Sequence, residues 1–77
     1  MTLKEFDKVR IIQLLHPPEY YVGLKDLRPP KIGDIGFIVD IQNISNLQTN
    51  YVVEASSPNG IPDWLGGFVK EELEFVP

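Results

Sequence analysis

Hydrophobic and polar positions alternate most strictly over residues 33–42, GDIGFIVDIQ, with Ile35, Phe37, Val39 and Ile41 on one parity and Gly36, Ile38, Asp40 and Gln42 on the other. A period of two marks a strand with one buried face, so the odd-numbered set is expected to point into the core. Gly33-Asp34 opens this strand as a turn, and Gly36 marks a bulge or a close backbone approach. Residues 6–15, FDKVRIIQLL, are rich in β-branched and aliphatic side chains and read as an earlier strand. His16-Pro17-Pro18 ends it, because neither proline can donate to a ladder. After a polar loop, NISNLQTN, the segment YVVEAS is a further strand with Tyr51, Val53 and Ala55 on one side. SPNG is a hairpin turn into IPDWLGGF, since Asn59-Gly60 readily supplies positive φ. VKEELEFV reads as one helical turn, Lys70 to Leu73, and a last short strand.

The resulting order is strand, long irregular loop, strand, loop, strand, hairpin, strand, helical turn, strand. Five short strands in 77 residues predict an all-β, partly open small barrel occupying the whole chain, residues 1–77, as a single domain. Its expected core includes Ile35, Phe37, Val39, Ile41, Val53 and Leu73. Truncating Phe37 to Ala is then expected to cost about 3 to 5 kcal/mol.

That order resembles the Src-homology-3-like barrels. HPPEYYVGLKDLRPPK, residues 16–31, falls where their long first loop crosses an open end, stiffened by prolines and pinned by side chains such as Tyr21, Val22 and Leu24. More closely, FDKVRIIQLL, GDIGFIVDI, YVVEA and FVKEELEFV resemble a family of small bacterial proteins known as a domain of unknown function, with a GD-x-G-x-[IV]-V core and a closing acidic-leucine segment. This resemblance implies a fold and no activity. Looser architectural kin, such as the nitrile hydratase β-subunit barrel, act by binding a larger protein, which implies the same for this chain.

Charge modifies the picture. The net charge is −4, yet residues 1–32 hold six Lys or Arg against four acids while residues 33–77 hold Lys70 against seven. An acidic total argues against a nucleic-acid binder, including a barrel of the KOW type, because phosphate neutralisation by Lys and Arg dominates such affinity. No cysteine is present, so disulfides and thiolate metal sites are excluded and a cytoplasmic location is expected. No apolar run approaches the length of a membrane span or a signal-peptide core.

Candidate chemistry is sparse. His16 is the sole histidine and has no acid at helical ligand spacing, so neither a metal nor a cofactor is expected. Ser45, Ser56 and Ser57 lack a nucleophile-elbow context, and a small chain seldom builds a substrate cleft of roughly 300 Å³, so an enzyme is not expected. Pro17-Pro18-Glu19-Tyr20 has the form of a P-P-x-Y ligand for aromatic-grooved domains, against the plainer reading of a rigid loop. A reader of proline-rich peptides needs an aromatic groove; Trp64 stands at about the right place, but the helical turn lacks the proline such grooves carry. Trp64 beside Gly66 and Gly67 could instead pack across the barrel.

The expectation is a non-catalytic interaction module or accessory subunit, monomeric or weakly self-associating, that binds a protein partner through Tyr20, Tyr21, Lys25, Arg28, Lys31, Tyr51 and Trp64. A barrel that binds nucleic acid or a small anion through Lys25, Arg28 and Lys31 is the alternative from another class.

Overall fold

The strand opened by Gly33-Asp34 is the spine of the structure, a computed structural model that describes residues 2–17, 21, 28–56 and 62–77. The elements are β1 (Lys8–Ile11), β2 (Ile35–Ser45), β3 (Gln48–Ala55), β4 (Leu65–Phe68), a 3-10 turn (Lys70–Glu72) and β5 (Leu73–Phe75). Among the described residues they form one antiparallel sheet ordered β4-β3-β2-β1-β5. The sheet coils around one core, and its edges β4 and β5 do not pair, so the all-β barrel stays partly open. No helix among the described residues is long and apolar enough to cross a membrane.

The first strand and the segment after the second differ from expectation. β1 stops at Ile11 rather than residue 15, because beyond it the chain crosses the barrel end and bonds to the 3-10 turn: Ile12 N–H donates to the Glu72 carbonyl at 2.8 Å. NISNLQTN is not a loop; β2 and β3 run through it and reverse tightly at Asn46-Leu47. Thr49 and Asn43, and Asn50 and Gln42, bond side chain to side chain across this hairpin, which lets polar residues hold strands together in water. The SPNG turn lies outside the described residues.

The facing of β2 is also corrected. Phe37 and Val39 are 41% and 37% exposed and Ile35 is half-buried, whereas Gly36 and Ile38 point inward. Gly36 belongs inside because a Cβ there would lie 2.5 Å from the Glu54 carbonyl oxygen, a contact only glycine avoids. A bulge at Val39 then resets the parity: Ile38 faces Val53, Asp40 faces Val52, and Ile41 faces Tyr51. Ile38 and Ile41 therefore share the inner side despite opposite parity, and Ile41 packs against the core. The Asp40 carboxylate accepts the Ile41 N–H at the kink, at 2.9 Å.

Val9, Ile11, Ile38, Val53, Ala55, Trp64, Phe68, Leu73 and Tyr21 form the core. Val53 and Leu73 are buried as expected. Trp64 and Phe68 meet edge to face with centroids 5.7 Å apart, and Tyr21 stacks on Phe68 at 5.4 Å. This aromatic file ties the long first loop to the barrel interior.

Candidate partner-binding groove

The first loop leaves β1 along residues 12–17 and returns along residues 28–34, and each arm is fastened separately. On the return arm, Lys31 to Asp34 form a turn closed by Asp34 N–H donating to the Lys31 carbonyl at 3.1 Å. Gly33 takes φ +98° there, the left-handed conformation that favours glycine. The turn aims the Asp34 carboxylate back at its own loop. Oδ2 accepts from Arg28 NH1 at 2.6 Å, Lys31 N–H at 2.9 Å and Trp64 Nε1–H at 3.0 Å, while Oδ1 accepts from Arg28 NH2 at 3.2 Å. Desolvation pushes the Asp34 carboxyl up, but the Arg28 and Lys31 hydrogen bonds, the Arg28 charge and the Trp64 indole together hold it below its ordinary value.

The outgoing arm is held by the 3-10 turn. Gln13 Nε2 donates to the Glu71 carbonyl at 2.7 Å, and Leu15 N–H donates to Glu72 Oε2 at 3.1 Å. The Glu72 carboxylate is fully buried, which is tolerable because its oxygens accept hydrogen bonds from Leu15 N–H, Val69 N–H and the Tyr21 hydroxyl. The Tyr21 oxygen in turn accepts the His16 N–H at 3.1 Å and lies 3.1 Å from His16 Nδ1. Burial first, and then donation to Glu72, push the Tyr21 hydroxyl up to about 12.

Between the fastened arms lies an open groove of about 460 Å³, lined by Leu14, His16, Tyr21, Pro29, Pro30, Lys31 and Ile32. Its surface is predominantly apolar, and Leu15 and Ile32 stand at 53% and 65% exposure on the same two arms. Because both walls belong to loop arms outside the sheet, the groove withdraws nothing from the small core. Lys31 contributes an exposed cation to the wall.

The residues expected to bind a partner thus divide. Lys31 lines the groove and Tyr21 forms its floor, buried and not available as an outward anchor. Trp64 is fully buried, its indole satisfied by Asp34, so it offers no outer contact; it packs across the barrel instead. Arg28 is paired with Asp34, with Asp63 3.6 Å from its Nε, and serves to close the loop. Tyr51 is half-buried against the core away from the groove. Tyr20 and Lys25, and the P-P-x-Y segment beyond Pro17, lie outside the described residues. Sequence reasoning missed Asp34, Glu72 and the aliphatic pair Leu15 and Ile32. The GD turn marked the place of Asp34, but a buried carboxylate inside KEELEF has no local signature, since three acids there read equally as a solvated face.

Among the described residues no group of three or more His, Asp or Glu side chains is arranged to hold a metal ion. No family model, no curated protein and no solved structure matches this chain.

Proposed function

We propose that this protein is a non-catalytic interaction module that docks a partner protein in the groove between the two arms of its first loop. The observation that carries this reading is an apolar groove flanked by exposed Leu15 and Ile32 and built on pre-fastened backbone. Rigid prolines at 29 and 30 reduce the conformational entropy a partner must remove, and apolar walls supply the area it can cover. The matching ligand is a polypeptide segment presenting an aliphatic or aromatic side chain beside a carboxylate, the latter facing Lys31. The resemblance to small bacterial barrels without assigned activity, and to barrels that serve as subunits, supports the same reading. The lack of cysteine fits a cytoplasmic setting.

Binding of nucleic acid or a small anion draws less support, because the Arg28 charge is already answered by Asp34 and the chain carries net −4. An affinity capture repeated with Ile32→Asp tests the proposal. Ile32 is exposed, so the variant should fold as the parent does while weakening a captured partner about tenfold or more. A partner retained with undiminished affinity would remove the groove from consideration. Capture that collapses steeply with salt would favour the anionic ligand instead.

A further inference from the structure

The outer face of the sheet carries a second surface, unrelated to the loop groove. Phe37 pairs with Lys8 of β1 on one side and Glu54 of β3 on the other, and Glu54 pairs with Leu65 of β4. Beyond Lys8 the row continues to Val76, whose N–H donates to the Lys8 carbonyl at 2.8 Å. Across the strands the row therefore reads Val76, Lys8, Phe37, Glu54, Leu65: apolar, cationic, aromatic, anionic, apolar. Phe37 and Leu65 are 41% and 40% exposed, and neither Lys8 nor Glu54 has an ion-pair partner among the described residues.

Neighbouring strands are about 4.8 Å apart, so Lys8 and Glu54 flank Phe37 at equal distances with opposite signs. A two-fold axis along β2 through Phe37 reverses the row. It lays Phe37 on Phe37, each Lys8 on the other copy's Glu54, and each Val76 on the other copy's Leu65. We infer that this row is an isologous contact and that its occupant is a second copy of this chain. Charge complementarity selects that occupant: the row matches its own reverse at every position, as a two-fold interface requires. A coiled sheet is convex on its outer face, so the contact stays below the roughly 800 Å² per partner typical of stable pairs, and the dimer is weak.

Sedimentation equilibrium from micromolar to millimolar concentration reads this directly. Lys8→Glu and Glu54→Lys, each alone, should raise the dimer Kd about tenfold or more, since each places two like-charged pairs in the interface. Mixing the two variants in equal amounts should restore association, because every facing pair is then opposite in charge. The double variant should restore it as a homodimer. Phe37→Ala should abolish dimerisation while leaving the circular dichroism spectrum unchanged. A wild-type chain that remains monomeric at 1 mM overturns the inference, as does a dimer indifferent to these charge reversals or a mixture that fails to recover.

Discussion

Asp34 accepts four hydrogen bonds from donors on three separate parts of the chain, and that concentration makes one short side chain the fastener of loop, turn and core. Asp34→Ala leaves the buried Trp64 indole N–H without its acceptor and Arg28 without its principal partner. The expected loss is about 3 kcal/mol in urea unfolding. The pH dependence follows from the lowered carboxyl. A depressed pKa in the fold contributes stability that is present above the unfolded value of about 3.9 and is lost as pH falls through the folded value. Wild-type stability should therefore decline on acidification more steeply than that of Asp34→Ala. Tyr21 behaves oppositely at the alkaline end. Its hydroxyl, raised from 10.0 to about 12, keeps its contribution below pH 10 and loses it as pH rises toward 12. The loss is on the order of 2 kcal/mol. Unfolding midpoints of wild type and Tyr21→Phe, compared from pH 9 to 12, should converge as pH rises; a constant offset would show that the phenol does not ionise with unfolding.

At the scale of elements, β2 shows what a sequence pattern carries and where it stops. Alternation over 33–42 located the strand correctly, because period two depends only on backbone geometry. It misassigned the faces, because Ile35, Phe37, Val39 and Ile41 are all apolar whereas Ile38 is the one large apolar residue of the set Gly36, Ile38, Asp40 and Gln42, while the side of Gly36 is decided by a steric contact with the Glu54 backbone that belongs to another strand. The Val39 bulge is hidden for the same reason: it exists only as a mismatch against β3. A pair of truncations measures the corrected facing. Ile38→Ala should cost about 2 to 5 kcal/mol, whereas Phe37→Ala should cost under about 1 kcal/mol by thermal unfolding. The reverse ranking would restore the odd-numbered face to the interior. The groove was legible only as a proline-rich loop. Which of its aliphatic residues stay exposed depends on Asp34 and Glu72, two carboxylates whose burial no local pattern announces.

For the molecule as a whole, the charge imbalance between the two halves is partly annulled by folding. Arg28 from the basic half lies against Asp34 and Asp63 from the acidic half, and Arg10 meets Glu74 at 2.6 Å. That last pair joins residues 64 apart in the chain and lies on the β1–β5 ladder, the seam that brings the first strand beside the last. Its consequence is kinetic. β1 has only β2 to pair with until β5 arrives, and bringing such distant segments together requires closing a loop of nearly the whole chain before any contact rewards it. Refolding should therefore fall in the millisecond-to-second range of small β-proteins, far slower than a helical chain of equal length. During synthesis the β1 edge stays unpaired until β5 has emerged, and in that interval it is a template open to other strands.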